Sequence, residues 1–217
     1  MSAEETIRAY LDKRISRRDF MERLQKVGVT AGAAFAYAEL LESCAAPGSG
    51  AAAAPMALAP AELVALEAVS GRILPATDTP GAIEAGAVFY IDRALADPYR
   101  SQLPRYQRAL AQIDAHCKTR FDKSFAMLAP QQQDAVLEAL EGGKIAEIEG
   151  GPQFFETMRR HIMEGVFCEP IYGGNRGLVG WKLVGFPGQR YGYDDPYINK
   201  RIDLPPIAQD GPPRKGA

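Results

Sequence analysis

Apolar side chains recur at intervals of three and four residues through most of the chain after residue 60. The clearest run predicts a helix packed against other helices, because that spacing places its apolar residues on one face. Its members are Leu103, Tyr106, Leu110, Ile113 and Cys117, continuing towards Phe121, Phe125 and Leu128. No segment shows sustained alternation of apolar and polar residues. The pattern therefore predicts an all-α fold, a packed helical domain.

The same spacing, with start and stop signals, predicts four more helices. The first ends before Pro75, and the fourth ends near Glu141 at a Gly-Gly pair. In the second, Thr79 is the predicted N-cap and Pro80 the first helical residue. The predicted starts are Pro60, Pro80, Pro130 and Pro152. The residues predicted to face inward are Leu63, Leu66, Val69, Ile73, Ile83, Ala87, Ile91, Leu95, Phe155, Met158, Ile162 and Val166.

Residues 171–188 are rich in glycine and cannot form one regular element. We expect an ordered loop that uses positive φ angles at several points. Tyr, Trp and Arg side chains cluster here, and these residue types dominate the centres of protein interfaces. The aromatic and basic members are Tyr172, Arg176, Trp181, Lys182, Phe186, Arg190, Tyr191, Tyr193 and Tyr197. The pattern favours a partner-binding surface.

Two other interpretations of this aromatic cluster stay open. Trp181 and Phe186 would simply close the end of the helical core. Alternatively, the rings would form a sugar-binding platform, which would need more carboxylates and amides than Asn175, Asp194 and Asp195 supply.

The N-terminal segment has the order of an export signal. Ser16, Arg17, Arg18 and Phe20 match the twin-arginine pattern, which directs folded proteins to export. The apolar stretch that follows, residues 27–38, is too short to span a bilayer, which takes about 20 residues. The alternative is an amphipathic N-terminal helix with a chance pair of arginines.

These features divide the chain into four parts. Residues 1–44 are the predicted signal segment, 45–59 an Ala/Pro-rich linker, 60–203 the helical domain and 204–217 a Pro-rich tail. Hydrophobic residues make up 47% of the chain, which is typical of a globular protein. The 25 basic and 27 acidic residues nearly balance, so no basic patch indicates nucleic-acid binding.

The three cysteines allow alternatives. Cys44 follows a Leu-Glu-Ser sequence that resembles a lipoprotein processing site, although the glutamate fits poorly, and is the candidate for lipidation. Cys117 and Cys168 either pair as a disulfide or remain buried thiols.

The usual catalytic motifs are missing from the chain. It has no dinucleotide-binding glycine pattern, no phosphate-binding loop, no nucleophile elbow and no Cys-x-x-Cys-His sequence for covalent haem. His161 and Glu164 have a spacing that would offer two metal ligands, but a tetrahedral site needs more. We expect instead a partly buried His161 bonded to a carboxylate, with Asp78 as a cap and Asp92 on a helix surface. No catalytic, cofactor or metal site is expected in this chain.

Several stretches together resemble the gluconate 2-dehydrogenase subunit 3 family. They are Phe154-Phe155-Glu-x-x-Arg159-Arg160-His161-x-x-Glu164-Gly165-x-Phe167, Pro170-x-Tyr172-Gly173-Gly174-Asn175-Arg176, and Gly180-Trp181-Lys182-Leu-x-Gly-Phe186-Pro-Gly188. Weaker matches lie upstream, around residues 73–92. Cys168 and Gly177 depart from the pattern, which expects a small polar and an acidic residue there.

The resemblance implies a non-catalytic small subunit. In the family, FAD and the substrate site belong to a large subunit of the glucose-methanol-choline type, and electrons often pass on to a cytochrome c subunit carrying haem. The small subunit helps the large one to mature and to reach the periplasm on its twin-arginine signal. The expected partner interface comprises Arg159, Arg160, His161, Tyr172, Gly173, Gly174, Asn175, Arg176, Trp181, Lys182 and Phe186.

Two alternatives to this role remain open. One is a lipid-anchored periplasmic binding or scaffold protein held through Cys44. The other is an enzyme that uses His161 and Glu164 itself.

Overall fold

The computed structural model describes residues 56–188 and 204–208, together with Thr6, Ala9, Asp19, Phe20 and Arg23. Within 56–188 it contains six α-helices and no strand, and the predicted all-α packed domain is confirmed. The helices are α1 (Pro60–Ile73), α2 (Ala87–Ala96), α3 (Leu103–Phe121), α4 (Pro130–Glu141), α5 (Gly151–Phe167) and α6 (Val179–Val184). Short 3-10 turns occupy Arg100–Gln102, Phe125–Met127, Pro170–Tyr172 and Arg176–Leu178.

Helix α5 packs against both α2 and α4, and α1 contacts α2, α3, α4 and α5. The face predicted for α3 is buried, with Tyr106, Leu110, Ile113 and Cys117 at most 2% exposed. Arg72 at the end of α1 donates two hydrogen bonds to the Asp134 carboxylate on α4, with both N···O distances 2.7 Å, and so links the two helices. The helices thus enclose one continuous apolar core.

The start of α2 differs from the prediction. The helix begins at Ala87, not at Pro80, and residues 82–86 form turns. Gly81 lies so close to the Leu74–Ala76 backbone that a Cβ would sit 2.6 Å from the Ala76 nitrogen. Gly86 then adopts φ +67°, a left-handed conformation that no α-helix continues through. Ile83, predicted to face inward, is 36% exposed as a result.

Asp92 is buried, not on a helix surface as predicted. Its carboxylate accepts hydrogen bonds from the backbone N–H groups of Met56, Ala57 and Leu58, at 2.6, 3.0 and 2.8 Å. These donors precede α1 and have no helical partner, so a buried acceptor satisfies them. Because Leu58 is only 2% exposed, the end of the predicted linker packs against the domain.

Candidate functional site

A groove of about 760 Å³ opens between the C-terminal halves of α2 and α5. Its volume is in the range of small-molecule and side-chain binding sites. We call it the α2/α5 groove. It is lined by Tyr90, Arg93, Ala94, Asp97, Pro98, Tyr99, Glu164, Phe167, Cys168, Glu169, Ile171 and Tyr172.

Glu164 is the polar centre of the groove. Its Oε2 accepts hydrogen bonds from the Tyr90 and Tyr99 hydroxyls, both at 3.1 Å. Arg160 approaches the other oxygen at 3.8 Å, one turn earlier on α5. Burial and the Glu164 charge raise the pKa of Tyr90, which stays a phenol. The carboxylate therefore cross-links α5 to α2 and to the turn that follows α2.

His161 lies behind the groove and is fully buried. The sequence-based expectation of a carboxylate partner is wrong, because Nδ1 is hydrogen-bonded to the Tyr106 hydroxyl at 2.9 Å. The Tyr99 ring stacks on the imidazole, with centroids 4.4 Å apart. Burial lowers the pKa of His161, so the imidazole is neutral at neutral pH. Its role in this arrangement is to support Tyr99 from behind.

The glycine-rich segment forms one wall of the groove. Arg93 Nη1 donates to the Ile171 carbonyl at 3.2 Å, and Gly173 turns at φ +101° beside the Arg93 side chain. A Cβ at Gly173 would lie 3.0 Å from Arg93 Cδ. The prediction of an ordered loop with positive φ angles is confirmed here.

Asn175 fixes the middle of this segment from inside. Its Nδ2 donates to the Cys168 carbonyl and its Oδ1 accepts from the Gly180 N–H, both at 2.9 Å. The backbone N–H of Asn175 donates to the Gly165 carbonyl at 2.8 Å. Because φ is +45° at Asn175, the residue also makes the turn that leads into α6.

Arg176 anchors the same segment to α2. Its guanidinium lies over the Phe89 ring, 3.7 Å from the centroid, and its backbone N–H donates to the Ala85 carbonyl. A Cβ on Gly86 would approach Arg176 Cδ to 2.6 Å, so glycine is needed at this contact. Arg176 therefore acts within the domain, holding the segment against α2.

The predicted interface residues divide by burial. Arg159, Arg160, Tyr172, Lys182 and Phe186 are exposed, and Gly173 and Arg176 are half-buried. His161, Gly174, Asn175 and Trp181 are buried, which corrects their placement on a contact surface. The Trp181 Nε1–H donates to the Phe167 carbonyl at 2.8 Å, and the side chain is 5% exposed. Of the two aromatics proposed to close the core, Trp181 does so and Phe186 covers it edge-on.

An exposed apolar surface surrounds the end of α6. Leu183, Val184 and Phe186 are 43%, 58% and 42% exposed. Ile207, 51% exposed, is held next to Pro187, the residue after Phe186, because its N–H donates to the Pro187 carbonyl. We call these four residues the α6 apolar patch. Lone apolar residues at a surface are ordinary, but a cluster of large ones indicates a binding site.

Part of the predicted export signal lies within the described residues. Phe20 is helical and fully buried, as a member of the hydrophobic core. Phe20, a residue of the predicted signal, therefore also belongs to the fold. Ser16, Arg17, Arg18, Cys44, Tyr191, Tyr193 and Tyr197 lie outside the described residues.

Cys117 and Cys168 are free thiols. Burial raises the pKa of Cys117 to about 12 and that of Cys168 to about 11, so both stay protonated at neutral pH. Across the described positions, no group of three or more His, Cys, Asp or Glu side chains is arranged to hold a metal ion. Helices in this part of the chain are too short or too polar to cross a bilayer.

Sequence reasoning missed most of the α2/α5 groove. Tyr90, Arg93, Asp97 and Tyr99 come from a stretch about 70 residues away from Glu169. No local motif connects the two stretches, so no spacing in the sequence signals the groove. The α6 apolar patch did have a signal, since Leu183 and Val184 follow Lys182 within an otherwise glycine-rich segment.

Comparison with known proteins identifies the family. The family model described as gluconate 2-dehydrogenase subunit 3 matches residues 60–188, more than half of the chain. The matched range includes both walls of the α2/α5 groove and all of α6. No curated protein and no solved structure gives a significant match.

Proposed function

This chain belongs to the gluconate 2-dehydrogenase subunit 3 family, and we propose that it is the non-catalytic small subunit of a periplasmic sugar or polyol dehydrogenase complex. Its partner is a large subunit of the glucose-methanol-choline type that carries FAD and the substrate site. A cytochrome c subunit with haem would take the electrons. The small subunit binds the large one, stabilises it and leads it through the twin-arginine route.

The observation that carries this proposal is the α6 apolar patch, of which Leu183, Val184 and Phe186 lie within the family-matched region. Leu183, Val184 and Phe186 expose large apolar side chains within four residues. Exposure of this kind costs free energy unless a partner covers it. Trp181 beneath the patch is held by packing and a hydrogen bond, so the surface is preformed.

The first test is isolation of the chain from the envelope of its native host under gentle extraction. The expected companion is a larger protein in stoichiometric amount with a flavin absorption spectrum. A colourless chain recovered alone would contradict the proposal. If the companion is recovered, the complex is screened for its substrate, because the proposal assigns sugar oxidation to the companion.

A surface variant tests where the companion binds. Val184→Asp places a charge in the α6 apolar patch and is expected to reduce the recovered companion by about tenfold or more. Gln131→Asp, at an exposed position on α4, is the matched control and should recover it normally. Equal recovery with both variants would move the interface away from α6.

The export role has a separate test. Replacing Arg17 and Arg18 together by lysine is expected to keep both subunits in the cytoplasm, because the twin-arginine pair is the recognition element. Fractionation with antibodies against each subunit measures this. Continued export of the double variant would remove the signal from the proposal and leave the partner role to stand on the interface tests.

A further inference from the structure

The α2/α5 groove carries a chemistry that the α6 apolar patch lacks. Three carboxylates line it, those of Asp97, Glu164 and Glu169, against the single guanidinium of Arg93. Arg93 is already engaged, since it donates to the Ile171 carbonyl and packs against Gly173. Arg160 lies 3.8 Å from the Glu164 carboxylate, so three carboxylates face two guanidinium groups and the groove keeps an excess of negative charge.

Aromatic rings surround these carboxylates. Tyr172 lies at the rim with 51% of its surface exposed. The Tyr99 ring is held in place by stacking parallel to the His161 imidazole. Ring faces beside carboxylates attract a cation, by the ring quadrupole and by charge. Guanidinium groups are favoured in such places because one group can stack on a ring and donate hydrogen bonds to a carboxylate at the same time.

The groove is also continuous with the proposed interface. Phe167 lines the groove, and its carbonyl accepts the Trp181 indole N–H. The other side of Trp181 meets Phe186, which belongs to the α6 apolar patch. A partner seated on the patch therefore has the groove within reach of a neighbouring segment.

We propose that the α2/α5 groove receives a segment of the large subunit that carries an arginine or lysine side chain. The inference rests on the proposed function, because it needs that partner. The groove, with a volume of about 760 Å³, accommodates several residues of that segment, and the cation would lie between Asp97 and Tyr172. The apolar patch would supply most of the affinity, and the charged groove would set the register and speed association.

The test compares two charge reversals in the full-length chain. Asp97→Lys changes the groove, and Glu138→Lys makes the same change at an exposed position on α4, outside the groove. The dissociation constant for the flavin-containing companion is measured for each at low and high salt. We expect Asp97→Lys to weaken binding by about tenfold or more and Glu138→Lys by less than about twofold. The salt dependence should flatten or reverse only for Asp97→Lys, since only it replaces an interfacial charge attraction by a repulsion.

Two further variants keep the result interpretable. Tyr172→Ala should also weaken binding, because it removes the ring beside the cation while leaving the charges of the groove unchanged. If circular dichroism shows that Asp97→Lys does not fold, Asp97→Asn replaces it.

The outcomes separate this inference from the proposed function. Equal affinities for Asp97→Lys and Glu138→Lys would overturn the groove assignment while the complex still forms. If Asp97→Lys changes the sedimentation of the isolated chain but does not affect companion binding, the groove is filled by a second copy or by the chain's own tail, and the assignment to the large subunit is overturned. Failure of the unmodified chain to bind the companion would overturn the proposed function first.

Discussion

At the residue scale, Glu67 is a carboxylic acid buried in the helical core. It is 5% exposed, and its Oε2 has no hydrogen-bond partner among the described residues. Burial raises its pKa to about 8, with Arg176 opposing and Glu84 adding to the rise. The folded protein therefore holds a proton at this site that an unfolded chain releases above its ordinary pKa of 4.5.

This difference predicts the sign of a pH effect. Stability from Glu67 is fully present below about pH 4.5 and is lost as the pH rises towards 8. Between these values the wild-type protein should lose up to about 1.4 kcal/mol per pH unit relative to Glu67→Gln, which cannot ionise. Urea unfolding at pH 5 and pH 8 measures it, with Glu138→Gln as the exposed control. Parallel pH profiles for wild type and Glu67→Gln would contradict the prediction.

Trp181 shows how burial corrects a residue-level hypothesis. The sequence places it among interface aromatics, but its indole closes the core and donates to the Phe167 carbonyl. Composition identifies residues capable of binding a partner and does not say which way each ring faces. In this segment, the exposed residues Tyr172, Lys182, Leu183, Val184 and Phe186 are the ones left to meet a partner.

At the element scale, helix α5 approaches its neighbours backbone to backbone. Gly165 faces Ala87 on α2, and a Cβ there would lie 2.8 Å from the Ala87 carbonyl oxygen. On the glycine-rich segment, a Cβ at Gly174 or Gly180 would overlap the carbonyls of Gly165 or Val166. Small residues at these three positions set the distances between α5, α2 and α6.

Gly165→Ala is therefore expected to push α5 and α2 apart and to cost about 1–3 kcal/mol of unfolding free energy. Gly142→Ala is the control, because its nearest non-bonded atom would be 3.2 Å away and its φ is −76°. Chemical denaturation of both variants gives the comparison. The predicted packing role fails if Gly165→Ala is as stable as the wild type.

The helices that sequence patterns predict best are the long ones. α1, α3, α4 and α5 repeat their apolar positions over several turns, and each begins or ends near proline or glycine. α6 has only six residues, a length at which local propensity cannot sustain a helix. Its existence depends on the packing of Trp181, whose indole N–H donates to the Phe167 carbonyl at the end of α5, and on the bond from the Gly180 N–H to the nearby Asn175 side chain.

At the scale of the whole molecule, Phe20 joins the N-terminal segment to the core. It is fully buried, together with core residues that begin at Leu58. Phe20→Ala in the full chain should lower the unfolding free energy by about 3–5 kcal/mol, the usual cost of removing a buried ring. Phe186→Ala, which truncates a 42% exposed ring, should cost clearly less.

Thermal unfolding of the purified full chain measures the effect. An unchanged melting temperature for Phe20→Ala would contradict the predicted contribution of this side chain to the core. The burial of Phe20 also bears on the proposed export role, because a side chain in the core cannot contact an export receptor at the same time.

The sequence by itself determined the class of fold, most helix boundaries and the family resemblance, and the family match confirms that resemblance. These properties depend on periodicity and on motifs whose residues are close in the chain. Only the tertiary structure decided that α2 starts at Ala87, that Asp92 caps the chain before α1, and which aromatics remain exposed. The tertiary structure also formed the α2/α5 groove. All of these features depend on contacts between segments that are distant in sequence, and such contacts leave no local pattern in the sequence.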